Sequence, residues 1–232
     1  MAEKMKTLVA LILDKSGSMQ HITQYAINNF NEQLQTLKEQ SNSPEIKAKK
    51  VLLAADPNDV EDGIETKVSI VLFNHSIDTI LFDANIDNVS EITENEYMPS
   101  GNTALFDAIG ATIDKFLGHY DLTDPNIGVL FVIITDGQEN SSKNYSGKEG
   151  SKRLKSVIEE LKATGKWTFT FLGTSDALDQ AEEIGINNRM AFEASDIGLK
   201  TMSVAQNEAT AHYYSARRMN KSTSVEDFYS SK

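Results

Sequence analysis

Two runs, Leu8-Val9-Ala10-Leu11-Ile12-Leu13 and Val129-Leu130-Phe131-Val132-Ile133-Ile134, carry no polar side chain, and aspartates follow closely as Asp14 and Asp136. Successive side chains of a strand point to opposite faces, so a strand that is apolar throughout has to be covered on both. The runs therefore read as buried parallel strands, the second central in its sheet. Each delivers a carboxylate to the sheet edge where the strand ends.

The rest of the chain supplies the cover. Helical spacing of Ile22, Tyr25, Ala26, Phe30, Leu34 and Leu37 predicts a helix over 20–40, and Leu105, Ile109, Ile113 and Phe116 predict one over 103–117. Strands are expected at Val68–Phe73, Trp167–Leu172 and Met190–Glu193, with Ile77–Phe82 returning antiparallel beside the second strand. Further helices are expected at Lys148–Ala163, Ala177–Ile184 and Thr201–Met219. Alternation of this kind implies an α/β, doubly wound, mostly parallel sheet with helices on both faces. Residues 1–219 read as a single domain. Ser41 to Thr66 reads as an insertion, a hairpin lengthening the second strand, and 220–232 as a polar, frayed tail. Phe30, Phe73, Phe131 and Trp167 read as core.

Composition removes several functions. The 232-residue chain holds 34 acidic against 22 basic residues, a net charge of −12, and its short basic groups are interrupted. No nucleic-acid face is expected, because phosphate neutralisation needs clustered Lys and Arg. The absence of cysteine excludes disulfides, thiolate ligation and a thiol nucleophile. No stretch approaches the ~18 apolar residues of a membrane helix, and no cleavage site follows the first apolar run, so a cytoplasmic location is expected. His21, His75, His119 and His212 stand too far apart for zinc spacing. Asp56-Pro57-Asn58-Asp59 lacks the ligand spacing of an EF-hand, and Gly147-Lys148-Glu149-Gly150 lacks that of a phosphate loop.

Three oxygen-rich loops remain: Asp14-Lys15-Ser16-Gly17-Ser18, Pro99-Ser100-Gly101-Asn102-Thr103, and Thr135-Asp136-Gly137. In open α/β sheets ligands bind outside the carboxyl ends of the strands, so Asp14, Ser16, Ser18, Thr103 and Asp136 are expected to meet there. Carboxylate and hydroxyl oxygens without His or Cys suit a hard cation: Mg²⁺, with Mn²⁺ or Ca²⁺ equally able to use the same atoms. Plainer roles are also available, as a helix cap (Asp14 or, better placed, Ser18 for the first helix; Thr103 for its own) or a turn residue (Asp136); their joint occurrence favours the metal. Lys15 reads as a solvated side chain, and Glu139 and Asn140 as shaping their loop.

This pattern, D-x-S-x-S followed by a distant Thr after a Gly-containing loop and a later T-D-G, resembles the von Willebrand factor type A family and its metal-ion-dependent adhesion site. The likeness runs from about residue 5 to about residue 200, and Leu13 to Met19 look most like intracellular bacterial and phage members. It implies one antiparallel edge strand, a divalent ion, protein recognition, and Thr103 as a ligand that changes between direct and water-mediated contact. If the aspartates act through water, the ion keeps much of its charge and accepts a partner's Asp or Glu. The expected function is thus a non-enzymatic, metal-dependent protein-recognition module. The alternatives are a Mg²⁺-dependent phosphoryl-transfer enzyme, for which Ser16 stands where a dehalogenase-like phosphatase needs a second carboxylate, or a structural scaffold.

Overall fold

The structure, a computed structural model, describes residues 5–42, 64–193, 195–219 and 228–229. Strand β1 (Lys6–Asp14) leads through a 3₁₀ turn (Gly17–Ile22) into α1 (Thr23–Ser41). Strands β2 (Glu65–Phe73) and β3 (Ile77–Asn85) follow, then α2 (Leu105–His119), β4 (Ile127–Thr135) and α3 (Gly147–Ala163). Strand β5 (Trp167–Gly173), α4 (Ser175–Glu183), β6 (Asn188–Ala191) and α5 (Asp196–Arg218) complete the order.

The six strands lie in the order β3-β2-β1-β4-β5-β6, all parallel except β3, which runs antiparallel to β2 at the edge. The two wholly apolar runs are neighbours at the centre, with Leu8 opposite Val129 and Leu13 opposite Ile134. The pleat sorts their side chains into two cores. Val9, Leu11 and Leu13 join Leu130, Val132 and Ile134 under α1 and α5. Leu8, Ala10 and Ile12 join Val129, Phe131 and Ile133 under α2, α3 and α4. Phe30, Phe73, Phe131 and Trp167 are buried as expected.

The chain leaves β1 towards α1 on one face and leaves adjacent β4 towards α3 on the other. The two connections diverge, and a crevice opens between the strand ends carrying Asp14 and Thr135-Asp136. It is the switch point at which such sheets hold ligands.

Three expectations change in detail. The last strand is Asn188–Ala191, not Met190–Glu193: Phe192 lies beyond it, its N–H donating to the Gly173 carbonyl at 2.9 Å while its ring packs into the core. The expected insertion falls at 43–63, outside the described residues, and its assumed ends belong to the fold, since Ser41 closes α1 and Glu65 and Thr66 open β2. Of the polar tail, Phe228 and Tyr229 are described and are anchored. Phe228 is buried beside Tyr213, its N–H donates to Asn188 Oδ1 at 3.0 Å, and the Tyr229 hydroxyl donates to Gln206 Oε1 at 2.6 Å. No helix among the described residues is long and apolar enough to cross a membrane.

Candidate metal centre

Asp14 ends β1 with its side chain fully buried, and its two carboxylate oxygens have separate holders. Oδ1 accepts the Ser16 N–H at 2.6 Å, and Oδ2 accepts the Thr135 hydroxyl at 2.5 Å. Thr135 in turn accepts the Gly137 N–H at 3.1 Å, so the end of β4 is tied to the end of β1 through one hydroxyl. Ser16 and Ser18 face one another with oxygens 3.1 Å apart, and the Ser18 hydroxyl donates to Asp136 Oδ1 at 2.6 Å. That bond consumes the donor of Ser18 and leaves its lone pairs directed elsewhere.

Gly137 shows where the oxygens converge. A Cβ built on it would lie 3.1 Å from Thr103 Oγ1, 3.3 Å from Ser18 Oγ and 3.4 Å from Asp14 Oδ2. Three oxygens, two from the first loop and one from the second, therefore meet at Gly137 of the third, which has no side chain to come between them. With Ser16 and Asp136 each in contact with Ser18, all five expected residues come together. No group of three or more His, Asp or Glu side chains placed to hold a metal ion by themselves is found among the described residues. The cluster thus comprises two carboxylates and three hydroxyls, a hard donor set that fits Mg²⁺ or a similar ion.

The electrostatics agree with that fit. Burial pushes the Asp14 carboxyl up from 3.8 to about 6, against the Thr135 hydroxyl and the Ser16 N–H and hydroxyl, with the nearby Asp136 charge adding to the rise. Asp136 is also raised by burial, opposed first by its bond from Ser18. Lys15 offers no relief: its ammonium is turned away onto Asp78 at 2.6 Å and is mostly shielded from solvent, contrary to the solvated position expected of it. Two crowded acids without a bonded cation are what a bound divalent charge would stabilise.

The two helix-cap roles fail on position. Ala104, not Thr103, stands at the N-cap of α2, and Ser18 lies inside the 3₁₀ turn, whose cap position is Ser16.

Other residues hold the loops. The Tyr97 hydroxyl donates to the Asp14 carbonyl at 2.6 Å. Asn74 Nδ2 donates to the Ser100 carbonyl at 2.8 Å, and the Asn74 carbonyl accepts the Ala104 N–H at 2.7 Å. The first and second loops are joined by Gly17 N–H to the Gly101 carbonyl at 2.9 Å and Ser100 N–H to the Lys15 carbonyl at 2.8 Å. Gly101 has φ of +74°, and a side chain there would also run into the His75 ring. Asn140 Oδ1 accepts the Thr103 N–H at 2.9 Å, and Glu139 Oε2 accepts the Phe106 N–H at 2.9 Å, so both residues shape the loop as expected. Asp107, buried on α2, accepts the N–H groups of Lys143 (2.7 Å), Asn144 (3.0 Å) and Tyr145 (2.8 Å). Among these holders, only Thr135 carries a sequence signal, a hydroxyl immediately before the strand-end aspartate.

The model of the von Willebrand factor type A domain matches residues 9–207. No curated protein matches the sequence. Among solved structures, crystal form 2 of proximal thread matrix protein 1 from the mussel byssus is similar at 15% identity and a TM-score of 0.51, covering 87% of this chain and 47% of that one. The ArnB paralog VWA2 from Sulfolobus acidocaldarius is similar at 16% identity and a TM-score of 0.48, over 86% of this chain and 44% of that one. The chain spans a little under half the length of these structures, and likeness at such identity concerns the fold alone. The family match takes in β1 from Val9, the whole of β4, all three loops and about half of α5, and on that extent the chain belongs to the von Willebrand factor type A domain family.

Proposed function

We propose that this chain is a protein-recognition module that holds a divalent cation, Mg²⁺ first among the candidates, on Asp14, Ser16, Ser18, Thr103 and Asp136, and binds through it an Asp or Glu of a protein partner. The observation that carries the reading is the space in front of Gly137, bordered by Thr103 Oγ1, Ser18 Oγ and Asp14 Oδ2. When bound, the cation supplies a positive, coordinatively open point on a protein of net charge −12. The chain's own residues do the rest. Asp14 and Asp136, acting through water, would offset only part of the ion's charge, while the three hydroxyls add oxygen without adding negative charge. An incoming carboxylate therefore meets an environment that is not already saturated with anions. Family domains generally serve in protein interaction, which agrees with this role.

A non-enzymatic function is part of the proposal. A phosphoryl-transfer enzyme of the dehalogenase type would want a carboxylate where Ser16 stands, and the Ser16 hydroxyl is engaged with Ser18. Titration calorimetry with Mg²⁺ and with Mn²⁺ tests the ion. Binding is expected for the unaltered chain and its loss for the Ser16→Ala, Ser18→Ala double variant. No heat at millimolar ion from the folded protein overturns the reading.

A further inference from the structure

The end of the sheet opposite the candidate metal centre holds a buried positive charge. Arg217, in the last turn of α5, is only 7% exposed. Its Nη2 donates to the Lys6 carbonyl at 2.8 Å, where β1 begins, and to the Asn126 carbonyl just before β4. Its Nε has no partner, and Arg217 joins none of the ion pairs formed among the described residues. Two carbonyl dipoles leave the guanidinium with its full charge, and a charge kept from water is costly until a counter-charge meets it.

A second unsatisfied group lies beside it. Thr7 is fully buried, and its hydroxyl also lacks a partner. Thr7 stands opposite Gly128 in the β1–β4 ladder. The pleat places Thr7 on the side of Val9 and Leu11, and Gly128 on the side of Leu130 and Val132, which is the α1 and α5 side for both. A Cβ built on Gly128 would lie 2.9 Å from Arg217 Cζ and Nε and 3.0 Å from the Tyr213 hydroxyl. The guanidinium thus takes the place of a side chain at 128, with Thr7 as its neighbour on the next strand. Nε–H can only donate, and the Thr7 hydroxyl is able to donate as well. A water between them would accept both bonds but bring two hydrogens needing acceptors of their own. A monatomic anion accepts both, brings no hydrogen and neutralises the guanidinium.

We propose that Arg217 and Thr7 hold a small monovalent anion of the size of chloride, which fastens the last turn of α5 to the starts of β1 and β4. The net charge of −12 repels anions from afar, but salt screens that field beyond ~8 Å, whereas the guanidinium is in direct contact. The site is separate from the proposed metal ligands and stands or falls without them.

The test follows the melting temperature in EDTA at fixed ionic strength as chloride replaces gluconate, which is too large for an enclosed site. The unaltered chain is expected to gain about 3–6 °C, saturably, at a tenfold excess of chloride over Kd. Arg217→Gln and Thr7→Val are expected to lose most of that gain, and their response to the same salts subtracts general salt effects. Thr7→Val keeps the shape and removes an unsatisfied hydroxyl, so in gluconate it is expected to be at least as stable as the unaltered chain, and to lose that standing in chloride. It carries the test by itself should Arg217→Gln fail to fold. Crystals grown in bromide are expected to show an anomalous peak within hydrogen-bond distance of Arg217 Nε and Thr7 Oγ1. Equal melting temperatures in the two salts, a chloride gain undiminished in Thr7→Val, or bromide found only elsewhere with water at this position overturns the inference.

Discussion

Replacing Asp14 with Asn should stabilise the metal-free protein at neutral pH. In the folded chain burial lifts the Asp14 carboxyl from 3.8 to about 6. Well below pH 3.8 the group is protonated whether the chain is folded or not, so it carries no penalty. Above pH 6 it is ionised in both states, and the folded state bears the full cost of a buried charge. The metal-free protein should therefore lose about 3 kcal/mol of stability from this group as pH rises through that window, at ~1.36 kcal/mol for each unit of displacement. Asn removes the charge and keeps an oxygen for the Ser16 N–H, but it turns an amide towards the Thr135 hydroxyl, a mismatch costing about 1 kcal/mol. A net gain of about 2 kcal/mol corresponds to a rise in melting temperature of about 4–8 °C for a chain of this size. Saturating Mg²⁺ should reverse the order. The unaltered protein gains about 2.7 kcal/mol at a hundredfold excess over Kd, and the variant gains little. Urea and thermal unfolding from pH 4 to 8, in EDTA and in Mg²⁺, measure all of this. Identical pH slopes for the two proteins between pH 4 and 6 in EDTA would refute the reasoning, because Asp136 contributes to both and only Asp14 distinguishes them.

Gly137→Ala should fold yet lose its Mg²⁺-dependent rise in melting temperature, since its Cβ would occupy the space bordered by Thr103, Ser18 and Asp14; an unchanged metal response would show that the ion sits elsewhere. Thr135→Val removes both the donor to Asp14 and the acceptor for the Gly137 N–H, and should cost about 1–3 kcal/mol in urea unfolding at pH 8. Phe228→Ala should cost about 3 kcal/mol, as expected for a buried ring, and truncation after Met219 should do at least as much damage. A cost below about 0.5 kcal/mol for Phe228→Ala, the range of ordinary surface changes, would show that the ring is not anchored.

What could be read from the sequence was whatever is written locally. The central strands are apolar at every position, so burial on both faces follows from the residues themselves, and Asp14 and Asp136 mark their ends. Ser16 and Ser18 are close to Asp14 in sequence, and Thr103 follows a glycine loop that opens a helix. The supporting residues are illegible for the opposite reason. Tyr97 meets Asp14, Asp107 meets the 143–145 backbone and Lys15 meets Asp78 only after the chain has folded, and no local pattern marks such pairings. Phe228 is a lone aromatic in a polar stretch, where no periodicity distinguishes an anchor from a surface ring. The displaced last strand has a similar cause: Phe192 is buried and apolar but lies outside the ladder, so hydrophobicity alone extended the strand past its end.

Asp107 and Glu139 turn inward and hold the backbone of the third loop, while Gln138, Lys143 and Asn144 project outward and are exposed. The loop's shape is thus dictated by side chains that a visitor never meets, and its outer lettering is left free to vary. Outer positions of this kind can change without disturbing the backbone that the inward acids hold, so under the proposed function they would alter the choice of partner and leave the proposed metal ligands in place. A laboratory seeking new specificities can follow the same division, randomising the outward positions and leaving the two inward acids alone.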